Sequence, residues 1–265
     1  MLRSGIIIAD KPKGITSREA AERIREITGA QRAGNSGTLD PNATGVLVVC
    51  IGNATKIMPA LQALDKEYVA TIHFHSGISL AALGGLIKRF SGKIRQVPPV
   101  NSAVARKERE REIYSIEILG MDGKDASLKI RCEAGTYIRK LADDMGRLCG
   151  GAHLKELRRT AVGNFTIDIS HSLQEIEKAS EKSMARIILP VEHGVTHLKK
   201  LTLKEDALRK ALLGKPLVQS DFVRGDSGIE NGELIALMDT GKCLIALAHY
   251  GKTVFVDRVI STGKV

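Results

Sequence analysis

Apolar residues recur along the chain with two different periods, and the switches between them outline its elements. GIIIA at 5–9 is a compact β-branched run followed by the turn residues KPKG, so a strand and a turn are expected there. Thr16 and Glu19 stand three apart as a capping box, and Ala20, Ala21, Ile24 and Ile27 recur at helical spacing, which predicts a helix over 17–28 closed by Gly29. QRAGNSGTLDPNATG (31–45) has neither period, yet it lies between that helix and the β-prone run VLVVCI, and loops held between rigid elements are where sites tend to sit. Helical spacing returns over 54–64, with Ile57, Met58, Leu61 and Leu64 on one face. Over 67–75 the pattern alternates, placing Tyr68, Ala70, Ile72 and Phe74 on one side of a strand and Val69, Thr71, His73 and His75 on the other. A helix over 80–90, an extended stretch QVPPVNSAV, a hairpin of 113–119 with 127–132 around MDGKD, and a helix over 136–148 follow. Strands and helices mix without βαβ regularity, so the expected class is α+β on a central, mostly antiparallel sheet.

After residue 196 the texture changes to KKLTLKEDALRKALLGKPL, then the short strands ELIALM and KCLIALAHY around a DTGK turn, and finally TVFVDRVI. The expected organisation is a larger unit over 1–195 and a small β-rich module over 196–265, near the lower end of independently folding size.

Composition narrows the classes. Lys and Arg number 40 against 30 for Asp and Glu, a surplus of +10 that favours a polyanionic partner. The surplus is +3 over 196–265 and +7 over the rest, so both parts are expected to meet that partner. No apolar run approaches the ~20 residues that span a bilayer, and the one near the start breaks at Asp10, short of a signal segment, so a cytoplasmic location is expected. Cys50, Cys132, Cys149 and Cys243 show no metal-ligand spacing, and His73 with His75 reads as a solvated strand face; no metal site is expected. Four Tyr, five Phe and no Trp make any aromatic in a polar neighbourhood worth inspecting.

Three residues stand out chemically: Asp40 in SGTLDP, Tyr68, and Arg139 in AGTYIRKL. An aspartate in a Gly/Pro-bounded loop is an ordinary turn residue, and an arginine in a first helical turn is an ordinary surface charge. An ionised aspartate in a cleft can also act as nucleophile or general base, held by an arginine. Residues alone do not put the two in contact.

Six ordered stretches carry a resemblance: DKPKGITS (10–17), GNSGTLDPNATGVLVV (34–49), KEYVA (66–70), PPVNSAV (98–104), EAGTYIRKL (133–141) and LKELRRTAVGNF (154–165). Together they resemble the family of pseudouridine synthases that includes bacterial tRNA pseudouridine synthase B and the catalytic subunit of box H/ACA ribonucleoproteins. The resemblance implies a pseudouridine synthase fold followed by a barrel-like RNA-binding PUA domain. It implies isomerisation of a uridine in tRNA or guide-selected rRNA without a cofactor, and RNA and small accessory proteins as partners. Residue by residue, Asp40 matches the catalytic aspartate, Arg139 its ion-pair partner and Tyr68 the ring that stacks on the target uracil. Lys11 matches a lysine supporting the active-site loop, and Tyr137 and Leu154 match pocket-lining positions. A single stacking platform suits a chain so poor in aromatics, since stacking contributes ~1–3 kcal/mol per base. RKERER (106–111) and KELRRT (155–160) read as ordinary solvated helix faces by composition alone; by resemblance, Arg106, Arg109, Arg111 and Arg158 face RNA phosphates.

The chain also departs from the family pattern. Asn35 stands where a histidine usually grips the extruded RNA loop, and Ala105 replaces a lysine. The short segment between Tyr68 and Gln96 is closer to archaeal members, although the first strand starts at Gly5 without the extension those commonly carry. Two function classes fit: an active uridine isomerase, and a non-catalytic RNA-binding or assembly subunit that keeps the fold.

Overall fold

The structure is a computed structural model that describes residues 4–98 and 107–261, so Arg106, Ala105 and most of PPVNSAV lie outside the described residues. In chain order the larger part comprises β1 (Gly5–Lys11), α1 (Ser17–Thr28), β2 (Ala33–Ser36), β3 (Thr44–Ile51), α2 (Met58–Gln62), β4 (Lys66–Phe74), α3 (Leu80–Phe90), β5 (Gly92–Gln96), β6 (Arg109–Asp122), β7 (Asp125–Cys132), α4 (Ile138–Gly146) and β8 (Ala152–Val162). Short β9 (Phe165–Thr166), β10 (His171–Ser172), α5 (Leu173–Lys178) and α6 (Glu181–Ile187) complete it.

Its strands form one ten-stranded sheet in the order β10-β1-β3-β8-β4-β7-β6-β5, with β2 added to β3 and β9 to β8. Pairing is antiparallel except for β1 with β10 and β3 with β8, so the mostly antiparallel α+β class is what forms. The β3–β8 junction joins the two halves of the sheet through just two residue pairs, Thr44 with Arg158 and Gly45 with Arg159.

The continuous apolar runs of β1 and β3 have a simple cause: both strands are covered on both faces. Ile6, Ile8, Val46, Val48 and Cys50 enter one cluster, while Ile7, Ala9, Leu47, Val49 and Ile51 enter the other with Ala20, Ala21 and Ile24 of α1. The capping box at Thr16 and Glu19 forms as expected, and Gly29 closes α1 at φ 63°. The alternation of β4 is also realised, with Lys66, Tyr68, Ala70, Ile72 and Phe74 all buried.

Three elements differ from the sequence expectation. The helix expected over 54–64 is a 3-10 turn (Gly52–Ile57) followed by α2, because Pro59 lacks an N–H and fits in a first helical turn. The helix expected over 136–148 starts at Ile138, since Gly135 at φ 81° is still part of the preceding turn. From Arg109 on, RKERER runs in β6, and KELRRT lies in β8, so these are strands rather than helix faces.

The last part contains β11 (Lys200–Leu203), α7 (Glu205–Leu212), β12 (Phe222–Gly225), β13 (Leu234–Met238), β14 (Leu244–His249) and β15 (Phe255–Val259). Among the described residues these strands, where a barrel-like module is expected, pair in the order β12-β11-β13-β14-β15, with no pairing that closes β12 onto β15. Ala236, Met238, Leu244, Leu247 and Ile260 join the cluster of Ile6, Ile8 and Val46, so both sheets share one apolar core.

Candidate active site

Asp40 sits on the loop between β2 and β3, and its backbone is tied down on both sides. The buried Ser17 hydroxyl at the start of α1 accepts from Leu39 N (2.7 Å) and donates to Leu39 O (2.9 Å). Pro41 O accepts from Gly14 N (2.8 Å) and from Lys11 Nζ (3.3 Å). Ala43 N closes the turn onto Asp40 O at 3.0 Å. Lys11 is buried and also donates to Pro12 O (2.8 Å) and Ile15 O (2.7 Å), so one ammonium joins the KPKG turn to the Asp40 loop. Burial lowers its pKa, with Asp40 pulling in the opposite direction.

Above this fixed backbone the Asp40 side chain is 51% exposed and accepts a hydrogen bond at Oδ2 from Nη2 of Arg139, itself 55% exposed on the first turn of α4. Tyr68, 8% exposed, lies under the loop in a cluster with Leu39 and Ala43, which flank Asp40. Its hydroxyl faces the guanidinium of Arg159, with which Tyr68 is paired in register, and burial raises its pKa. Arg159 is 1% exposed and donates from Nε to Val46 O (2.7 Å) and from Nη2 to Gly37 O (2.9 Å). Lys66 is buried beside it, donating to the carbonyls of Gln62 (2.7 Å) and Leu64, and burial together with Arg159 pushes its pKa down to about 8.

The remaining expected site residues are placed unevenly. Tyr137 precedes α4, its backbone N–H donating to Gln96 Oε1 (3.0 Å) while Gln96 Nε2 donates to its carbonyl (3.2 Å). Asn35 lies half-buried on β2 opposite Val49. Leu154 is not brought to Asp40: it pairs with Ile72, four residues beyond Tyr68 on β4 and so ~13 Å along the strand. Leu157, opposite Ala70, is nearer Tyr68 in the register, and both leucines pack against the cluster that contains Tyr68.

The proposed RNA-facing arginines are also partly committed within the protein. Arg158 donates to Asp10 (2.7 Å) and Thr44 (3.4 Å). Arg111 turns inward to the Glu110 carbonyl (2.8 Å) and Glu133 (3.4 Å), with its Nε buried and unpartnered. Arg109 is half-buried opposite Gln96. Nearby, Lys93 and Arg95 of β5 pair with Glu110 and Glu108, so the charged run forms a hairpin laced by ion pairs. His73 and His75 are joined by His153, with His73 on Asp125 (2.6 Å) and His75 on His153 (3.0 Å), but no three ligand-type residues among those described are placed to hold a metal.

Two family models match consecutive parts of the chain: the N-terminal domain of TruB family pseudouridylate synthases over 25–138, and the C-terminal domain of tRNA pseudouridylate synthase B over 139–196. A protein of Methanococcus maripaludis named probable tRNA pseudouridine synthase B is 39% identical over 246 residues, 89% of this chain and 74% of that one. The chain belongs to the TruB family of pseudouridylate synthases. It is thus an enzyme of pseudouridine formation. A Korarchaeum cryptofilum protein of the same name is 40% identical over 258 residues, 94% of this chain and 79% of that one. The crystal structure of a Cbf5-Nop10-Gar1 complex superposes at a TM-score of 0.89 with 35% identity, covering 97% of this chain and 85% of that one. An H/ACA RNP bound to a substrate RNA containing 2′-deoxyuridine gives 0.87 with 33% identity, at 97% and 85%.

Within this TruB-family site, sequence reasoning missed Ser17, Lys66, Gln96 and Arg159. Ser17 and Lys66 lie in the quoted motifs, but nothing in composition reveals a hydroxyl facing a backbone or a lysine facing inward. Arg158 and Arg159 look alike in sequence; strand alternation turns one outward and the other in.

Proposed function

We propose that the chain isomerises a uridine within RNA using Asp40 as the catalytic carboxylate, Arg139 as its ion-pair partner and Tyr68 as the stacking ring. The observation that carries this reading is the Asp40–Arg139 pair on a clamped loop whose Leu39 and Ala43 share a buried cluster with Tyr68. Arg139 occupies Oδ2, leaving Oδ1 either to add to C1′ as N1 departs, a bond that breaks when C5 attacks C1′, or to take the 2′ proton as N1 departs and return it to C2′ when C5 joins C1′. In either route the C1′–N1 bond breaks, the uracil turns, and C5 joins C1′ while C5 loses a proton and N1 gains one. The isomerisation is balanced without an oxidant, a reductant or a cofactor. Reaching a stacked uracil requires flipping it, at a cost of a few kcal/mol that stacking on Tyr68 partly offsets. Loop clamping supports this because a pre-set carboxylate does not have to be ordered during the reaction.

The substrates we assign are a T-loop uridine of tRNA, a guide-selected rRNA uridine, or both. The names of the archaeal relatives support the first; the likeness to Cbf5 in complexes with Nop10, Gar1 and substrate RNA supports the second, with small accessory proteins as partners. In this reading residues 1–195 form the catalytic unit and 196–265 a PUA-like module that holds RNA, in the cytoplasm. The intact ion pair favours a catalyst on RNA over a non-catalytic assembly subunit. The test is Asp40→Asn, assayed on a tRNA transcript and on guided rRNA with accessory proteins. Pseudouridine formation by wild type and its loss in the variant are expected; equal product from both would sink the assignment.

A further inference from the structure

Arg159 has an environment that stability alone does not explain. It is a guanidinium at 1% exposure that donates to two neutral backbone acceptors, Val46 O and Gly37 O, and interacts electrostatically with the Tyr68 hydroxyl. Among the described residues it forms no salt bridge with a carboxylate. Burying a charge without a counter-ion is costly, and an apolar side chain of similar volume generally serves stability as well or better. Two separate carbonyls reached by one planar fork, however, is geometry that arginine supplies and lysine does not.

The three groups it meets are the parts of the site that must keep a fixed relation. Gly37 lies before Asp40 and Val46 after it, so the guanidinium bridges both ends of the catalytic loop, while the same residue is paired in register with Tyr68 and interacts with its hydroxyl. The backbone repeats the arrangement: Arg159 pairs with Gly45 of β3 on one side and with Tyr68 of β4 on the other, at the narrow junction of the two half-sheets. Gly37 sits at φ 83°, a backbone conformation that L side chains rarely adopt, and presents its carbonyl to the guanidinium.

We propose that Arg159 is a positioning residue that locks the Asp40 loop and the Tyr68 ring into one unit, setting the distance between carboxylate and stacked base. This rests on the site assigned above. During isomerisation the uracil must turn while C1′ stays within reach of Asp40, and a misplacement of about 1 Å can cost on the order of a hundredfold in rate.

The test is single-turnover pseudouridine formation measured beside RNA affinity for wild type, Arg159→Lys, Tyr68→Phe and the double variant. Losing the fork is expected to slow Arg159→Lys by about 10- to 100-fold with RNA affinity within about twofold, the range for a hydrogen bond to a charged group. Tyr68→Phe keeps the ring and removes the shared contact, so it slows the step about tenfold, and the double variant is no more than about twofold slower than Arg159→Lys because both sever one link. A rate for Arg159→Lys within threefold of wild type, a matching loss of RNA affinity, or multiplicative effects in the double variant would overturn the proposal. If Arg159→Lys does not fold, Tyr68→Phe decides: an unchanged rate overturns it and a tenfold fall at constant affinity supports it. Equal product from wild type and Asp40→Asn would instead mean that the underlying site assignment fails.

Discussion

Gly45 and Gly14 form a matched pair that tests how tightly the site is built. Both have positive φ, 102° and 95°, so an alanine at either is strained. The surroundings differ: nothing lies within 4 Å of a Cβ at Gly14, whereas at Gly45 it would stand 2.1 Å from Arg159 O and 2.8 Å from Arg159 N. Gly14→Ala should therefore cost only backbone strain, about 1–2 kcal/mol. Gly45→Ala adds a collision with backbone that cannot swing away, so β3 and β8 must part at Thr44–Arg158 and Gly45–Arg159. Losing that pairing, at about 1 kcal/mol per hydrogen bond, plus disturbed packing around it brings the expected total to roughly 3–5 kcal/mol. Urea titration followed by circular dichroism measures both costs, with an unchanged m-value confirming that the same transition is compared. Because Gly45 abuts Arg159, the folded Gly45→Ala protein should also lose rate more than it loses RNA affinity. Equal destabilisation by the two alanines would refute the close β3–β8 approach on which the site geometry depends.

Other outcomes follow from the same contacts. Arg139→Ala should leave stability within about 1 kcal/mol, since half-exposed ion pairs contribute little, yet abolish most pseudouridine formation; a large fall in Tm with retained activity would contradict the assigned role. Ser17→Ala strands the buried N–H and C=O of Leu39 and should cost about 1–3 kcal/mol in a denaturant titration, with a lower reaction rate; a neutral result would remove Ser17 from the clamp. Lys66 has a folded pKa of about 8 against an ordinary value of 10.5, so the unfolded chain binds more protons between them and stability gains as pH rises through that window. Measured against Lys66→Met, the wild type should therefore gain relative stability from pH 8 to 10.5, and a flat difference would show that the ammonium is not desolvated.

Periodicity located the helix over 17–28, the alternating strand with Tyr68 and the unpatterned loop with Asp40, because each is dictated by local chemistry: a capping box, a period of two, a Gly/Pro turn. What stayed illegible depends on tertiary direction. Arg111 and Arg158 belong to basic runs that resemble solvated surface, yet one is drawn under the turn before α4 and the other onto Asp10, through pairings between residues far apart in sequence. The Asp40–Arg139 contact spans 99 residues and was reachable only through family resemblance. Leu154 shows the limit of motif transfer: its motif is correctly placed on β8, but register with β4 carries that residue away from Tyr68 and brings Leu157 closer.

The site also has an electrostatic order. Lys11, Lys66 and Arg159 are all buried around the Asp40 loop, and each is satisfied chiefly by backbone carbonyls. Carboxylate partners would relieve their burial more fully, but would add negative charge beside Asp40 and compete with it for Arg139. Carbonyls satisfy the hydrogen bonds while leaving the net positive charge in place. Beneath a low-dielectric surface that charge is screened less than exposed lysines are. Adding salt should therefore weaken RNA binding through the exposed basic residues, while the rate of the bound complex, set by these buried cations, changes much less. A single-turnover rate at saturating enzyme that falls with salt as steeply as affinity does would place the catalytic electrostatics on the surface and overturn this division.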